Sequence, residues 1–241
     1  MTEAVRHIAV SGASRGIGRA IAIRLARDGA NVALLARDAA ALEQTAAATG
    51  GRAVPVDIRD RGAVDRTIDS LGRLDGFVAV SGIGGPNEPG PGDRWDDLVA
   101  TNLSGTYWCL RAAERNLVDG GRIVVIASIL ARIAVPGYTG YSASKAGLLG
   151  LVRSLAVELA PRDIQVNAIC PGWIDTDMAW RGLDLMPGTR EEAYADAMRE
   201  VPLGRMGRPE DVAGTVAWLL SEDSRGVTGQ TIDQNGGAWV G

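Results

Sequence analysis

The chain has 241 residues, 46% of them hydrophobic and 22% charged, with a formal net charge of −4. A chain this long buries most of the surface its unfolded form exposes, so one domain over residues 1–241 is expected, and the acidic balance with scattered Lys and Arg excludes a nucleic-acid footprint. His7 is the only histidine, and Cys109 and Cys170, both in apolar surroundings, are the only cysteines; a zinc site and a disulfide framework are therefore excluded, no metal is expected, and buried thiols fit a reducing cytoplasm.

Met1 to His7 carries no charged-then-apolar leader, and no apolar run is long enough to span a bilayer. His7 to Val10 predicts a strand, followed by a glycine-rich turn and a helix from Gly18 to Asp28. A strand over Asn31 to Leu35, a helix over Ala39 to Thr49, a strand over Ala53 to Val56 and a helix over Ala63 to Leu71 repeat that alternation. Strands at Phe77 to Val80, Arg122 to Ala127 and Gln165 to Ile169 then alternate with helices at Trp95 to Leu117, Tyr141 to Leu159 and Pro209 to Leu220. A last apolar run lies near Thr231 and Ile232.

The reading is an α/β fold: a Rossmann-type, doubly wound, parallel seven-stranded sheet with helices on both faces. Continuous apolar strands such as Ile123 to Ala127 are what a sheet covered on both sides needs. Ile174 to Met206, with Met178, Trp180, Met186 and a charged helical stretch from Arg190 to Arg199, interrupts the alternation and reads as a substrate lid over residues 174–206. Trp173, Trp180 and Met186 suit an apolar or ring-bearing substrate. No linker or internal repeat divides the chain.

Ser11-Gly12-Ala13-Ser14-Arg15-Gly16-Ile17-Gly18 joins the first strand to the first helix. Its glycines let the backbone turn sharply and approach a pyrophosphate, whose charge the free N–H groups of a helix N-terminus stabilise. The Gly12, Gly16, Gly18 spacing resembles that of the short-chain dehydrogenase/reductase family. At the end of the second strand a carboxylate would bind an adenosine ribose, whereas a basic residue would neutralise a 2′-phosphate. In register with that family, Ala36 takes the acidic position and Arg37 follows, so Arg37 and Arg15 form an expected clamp on a phosphate and NADP(H) is preferred. Asp38 keeps NAD(H) open, through a ribose contact.

Tyr141-Ser142-Ala143-Ser144-Lys145 sets a tyrosine and a lysine four residues apart, on one face of a helix. A tyrosine in water has a pKa of about 10, and an adjacent ammonium favours its ionised form, so Lys145 is expected to tune Tyr141 downward. Ser128 ends a buried strand at the ligand-binding edge of the sheet, where its hydroxyl holds a substrate oxygen with Tyr141. Ser128 and Tyr141, with Trp173 and Trp180, are the expected substrate residues.

The resemblance implies further roles. Asn102 matches the asparagine that bends a long helix and holds a water leading from the lysine to solvent. Asp57 resembles the acid beside the adenine, with Ile58 packing on the ring. Pro171 and Gly172 would lie against the nicotinamide, with Ile174 and Thr176 on its carboxamide, and Ser14, Ile17, Gly82, Tyr141 and Lys145 complete the cofactor set. Where the family has two asparagines before Ala-Gly, this chain has Ala79-Val80-Ser81-Gly82, so only Gly82 is kept.

The implied activity is interconversion of a ketone and a secondary alcohol with Tyr141 as general acid/base. Ile169 to Trp173, the lid and Asp233-Gln234-Asn235-Gly236-Gly237 resemble the 3-oxoacyl-thioester and polyketide ketoreductase branch. An NAD-dependent secondary or cyclic alcohol dehydrogenase and a non-catalytic dinucleotide sensor are the alternatives. The partner is a small carbonyl or alcohol, with no nucleic acid or membrane, and the family implies a homotetramer through the two long helices.

Overall fold

The computed structural model describes residues 5–241; residues 1–4, the start of the segment read as lacking a leader, lie outside the described residues. The chain runs β1 (His7–Ser11), α1 (Gly16–Arg27), β2 (Asn31–Ala36), α2 (Ala39–Thr49), β3 (Arg52–Pro55), α3 (Arg61–Asp69) and β4 (Leu74–Ala79). It continues with α4 (Trp95–Val99), α5 (Thr106–Asn116), β5 (Leu117–Ile126), α6 (Thr139–Leu159), β6 (Gln165–Pro171), α7 (Asp177–Leu183), α8 (Arg190–Arg199), α9 (Pro209–Leu219) and β7 (Thr231–Gln234). The strands form one seven-stranded sheet, ordered β3-β2-β1-β4-β5-β6-β7, with every pairing parallel.

Alternation along the strands feeds two cores. Ile8, Val10, Val124 and Ile126 point to the face covered by Ile21 and Leu25 of α1, Leu42 of α2 and Val212 and Val216 of α9. Ala9, Phe77, Ile123 and Val125 point to the other, under Val64 and Ile68 of α3, Leu110 of α5 and Leu148 and Val152 of α6. Both faces being covered, the strands are apolar without a period of two, as the sequence predicts. Strand order reverses between β1 and β4, and the crevice beyond the carboxyl ends there is the ligand position of open parallel sheets.

The expected helix over Trp95 to Leu117 is corrected in two places. Ala100–Gly105 is a π-helical segment between α4 and α5, and Leu117 already belongs to β5. The widened turn follows from Asn102, whose amide accepts from Ile83 N at 2.8 Å and donates to Ile83 O at 3.0 Å. π-turns of this kind are common where a helix serves a functional site.

Residues 174–206 are not one irregular loop. They hold α7 and α8 around a small core of Ala179, Leu183, Ala193, Ala197, Met198, Val201 and Met206. The Arg190 to Arg199 helix lies where the sequence predicts it, started by a capping box between Thr189 and Glu192. Among the described residues no helix is long and apolar enough to cross a membrane. Burial pushes the Cys109 thiol up to about 12, as befits an inert packing residue.

Candidate active site

The glycine loop sits at the carboxyl end of β1, and its three glycines have different reasons. Gly12 has φ +72°, and a Cβ there would come within 2.7 Å of Ser81 N on the neighbouring turn. A Cβ on Gly18 would overlap the carbonyl of Gly12. Gly16 faces the crevice, where a Cβ would meet Thr176 Cγ2 at 3.2 Å. Two glycines thus close the loop on itself and its neighbour, and the third keeps the crevice open.

Helix α1 begins with no side-chain cap and no acidic residue in its first turn, leaving its N–H groups and positive dipole end uncompensated. That is what a pyrophosphate needs, so the residues present fit a dinucleotide. Ser14 is half-buried on the loop, and Ile17 packs on the core beneath α1.

At the adenosine end, Asp38 is already engaged: its carboxylate caps α2 through Ala41 N at 3.1 Å and pairs with Arg15 at 3.2 Å. Arg37 is exposed beside it, close enough to Asp57 to help hold that carboxyl down. The larger influence on Asp57 is Arg59, which forks its carboxylate with contacts of 2.7 and 3.1 Å and lowers its pKa. Arg59 escaped the sequence reading because a lone exposed arginine carries no periodic signal. Ile58 does not offer its side chain to an adenine; it is 5% exposed and packs against the Cα of Gly105 in the core.

Where the resemblance implies asparagines after β4, this chain's backbone is held from β1. Ser11 Oγ accepts from Val80 N at 3.1 Å and Ser81 N at 3.3 Å, tying the two turns that flank the crevice. Its signal in the sequence is a hydroxyl ending an otherwise apolar strand.

Ser128, Tyr141, Lys145 and Asn102 converge at the carboxyl end of β5. Ser128 is buried and caps a short turn through Leu130 N at 3.2 Å. Tyr141, half-buried, has Tyr138 edge-on at 6.3 Å between ring centroids. Lys145 is 4% exposed; its Nζ donates to Ile126 O at 3.0 Å and lies 5.9 Å from the Tyr141 ring centre. A Cβ on Gly82 would press on Lys145 Nζ and Asn102 Oδ1, so Gly82 leaves room for the lysine. Asn102 also donates to Ser144 Oγ at 3.1 Å.

Burial raises the Tyr141 phenol above its ordinary range, and the Ser128 hydroxyl acts in the opposite direction. The expectation that Lys145 dominates and lowers Tyr141 is therefore corrected: desolvation is the larger effect. Desolvation also brings Lys145 down to about 8. Between pH 8 and its ordinary value of 10.5 the unfolded lysine binds more protons than the folded one, so stability rises with pH across that window. Relative to Lys145→Met, the protein is expected to gain on the order of 3 kcal/mol from pH 8 to 10.5. Urea unfolding of both proteins at several pH values tests this, and a difference that stays constant with pH overturns it.

On the other side of the crevice, Pro171 closes β6, and a Cβ on Gly172 would meet Asn235 Cα at 2.9 Å, so the glycine makes room for the chain just after β7. Thr176 caps α7 and donates to Ile174 O at 3.1 Å, while the Ile174 side chain is buried in the core. The two tryptophans expected at the substrate, both partly buried, pack on the small core of α7 and α8. Trp180 stacks on Tyr194 at 5.9 Å and donates to Asp175 Oδ1 at 2.6 Å, and Trp173 packs against Gly182. Tyr194 lies fourteen residues from Trp180, a pairing that no local pattern in the sequence marks.

A parallel sheet with an open helix N-terminus at its switch point, beside converging Ser, Tyr and Lys side chains, is the frame of a dinucleotide-binding oxidoreductase. A family model described as enoyl-(acyl carrier protein) reductase matches residues 12–238. The chain belongs to the short-chain dehydrogenase/reductase family and is an oxidoreductase. It is 35% identical over 245 residues to 3-oxoacyl-[acyl-carrier-protein] reductase FabG of Staphylococcus aureus, covering 96% of this chain and 97% of that protein. Among solved structures, actinorhodin polyketide ketoreductase with NADPH matches with TM-score 0.89 and 32% identity over 97% of each chain. BdcA in complex with NADPH matches with TM-score 0.86 and 36% identity over 96% of this chain and 93% of that one.

Proposed function

We propose that the protein is an NADP(H)-dependent reductase that converts a ketone, of the 3-oxoacyl-thioester or a related class, to a secondary alcohol. The observation that carries this is the convergence of Ser128, Tyr141 and Lys145 beside the open N-terminus of α1. When bound, the dinucleotide supplies the hydride. Ser128 and Tyr141 hold the carbonyl oxygen, and Tyr141 gives it the phenolic proton as the carbon is reduced. A phenol raised by burial enters that step protonated at neutral pH, as a proton donor must. Lys145, largely protonated below about 8, places a positive charge beside the phenolate that remains.

The phosphate preference rests on Arg37 and Arg15. Asp38 is committed to the α2 cap, so it is poorly placed to take both hydroxyls of a ribose, whereas Arg37 has an exposed guanidinium and Arg15 can exchange its weak, exposed pairing with Asp38 for a phosphate. A charge-assisted contact of this kind is worth about 1.5–3 kcal/mol, or roughly ten- to a hundredfold in affinity. Initial rates with NADPH and NADH over 3-oxoacyl thioesters, cyclic ketones and aryl ketones are expected to show NADPH preferred. Arg37→Ala should raise the NADPH KM by at least about tenfold and leave the NADH KM nearly unchanged. A preference for NADH in the unaltered protein would overturn this reading and return the ribose role to Asp38.

A further inference from the structure

Helix α6 carries Tyr141 on its first turn, yet Tyr138, at the N-cap position, makes no side-chain capping bond. The first N–H groups of a helix need an acceptor, and here one comes from another element. Asn87, 7% exposed in the loop between β4 and α4, accepts from Gly140 N at 2.7 Å and from Thr139 Oγ1 at 3.2 Å. Its own N–H donates to Gly137 O at 2.8 Å, so it grips both the turn before the helix and the residue next to Tyr141. A Cβ on Gly140 would press to 3.1 Å on Asn87 Oδ1 and on Leu98, so the backbone is bare where the asparagine docks.

Asn87 is itself held. Its amide donates to Asp93 Oδ1 at 3.1 Å, and Asp93 also accepts from Trp95 N at 2.9 Å at the start of α4. The same loop is fastened at Ile83 to Asn102, whose amide reaches Ser144 on α6. Two asparagines therefore pin one loop to the helix at residues 140 and 144, on either side of Tyr141. Asn102 holds the helix from beneath, and Asn87 fixes its first turn.

We propose that Asn87, oriented by Asp93, is a positioning residue that sets where the Tyr141 hydroxyl stands, an inference that rests on the proton-transfer role proposed for Tyr141. The bond Asn87 makes is a tertiary substitute for a helix cap. Without it the first turn is free to fray, and a displacement of about 1 Å at a reacting group costs about a hundredfold in rate. Among the described residues Asn87 bonds to Asp93, Gly137, Thr139 and Gly140 and to none of Ser128, Lys145 or the glycine loop, so the loss is expected in kcat rather than in NADPH affinity.

Asn87→Ala is expected to lower kcat ten- to a hundredfold, with the ketone KM and the NADPH Kd within about threefold of the original. Asn87→Asp keeps an acceptor but sets two carboxylates against each other, and it should lose kcat similarly. The exchange Asn87→Asp with Asp93→Asn restores one donor and one acceptor, and is expected to return kcat to within about threefold. Tyr141→Phe is assayed alongside. If Tyr141→Phe is inactive while Asn87→Ala keeps full kcat, or if the folded exchange variant is no better than Asn87→Asp, the positioning role is wrong. If Tyr141→Phe keeps full activity, the proton-transfer reading falls instead.

Discussion

Tyr141→Phe is expected to lower kcat by at least a thousandfold while leaving NADPH Kd and unfolding midpoint nearly unchanged. The substitution removes one oxygen from a half-buried ring whose edge contact with Tyr138 is kept. What disappears is the proton donor beside Ser128. General acid catalysis contributes about a hundred- to ten-thousandfold, and the same hydroxyl also holds the substrate oxygen, so the combined loss lies in the upper part of that range. Single-turnover rates with NADPH and a responding ketone, together with an NADPH titration, separate chemistry from binding. A variant with more than about a tenth of the original kcat would remove Tyr141 from the proton-transfer role.

The second large effect is predicted for Gly18→Ala. Gly18 is buried inside α1, where alanine is ordinarily the better helix former by about 1 kcal/mol. Here the added methyl would overlap the carbonyl of Gly12 and lie 3.2 Å from Ala13 Cα, which are backbone atoms of the loop itself. Neither can move alone, because Gly12 N and Ala13 N both donate to Leu35 O and Gly12 lies against Ser81. Overpacking against backbone costs about 3 kcal/mol or more, so the sign of the usual Gly-to-Ala effect reverses. Urea unfolding should show that loss, and NADPH affinity should fall by at least about tenfold because the loop must open. An unchanged midpoint and Kd would mean that the helix and strand are not held together through this glycine.

The alternation of β-branched runs with amphipathic stretches named each strand of the sheet within a few residues, because a sheet covered on both faces imposes its apolar runs locally. The spacing of Tyr141 and Lys145, four residues on one helix, and the position of the glycine loop between β1 and α1 are likewise local patterns. Those features, and the family they resemble, were determined by the sequence by itself. What it left undecided is what depends on residues far apart in the chain. The π-turn at Asn102 forms because Ile83 offers both its N–H and its carbonyl, nineteen residues away. Asp38 keeps a ribose contact open in the sequence, and only the fold shows it capping α2 with Arg15 beside it. Ile58 reads as a ring contact until the fold packs its side chain against Gly105, and the stacking of Trp180 on Tyr194 is likewise made only by the fold.

The same holds for the pKa of Tyr141, where spacing alone speaks of Lys145 and only the packed structure sets the larger cost of burial. Asn87 is invisible in the sequence, since it sits among prolines and glycines with no period to mark it. Hydrogen bonds to a residue fifty-three positions further on give it a place beside the catalytic helix. Local periodicity is written in neighbouring side chains, whereas burial, charge pairing and tertiary capping arise only when distant segments meet.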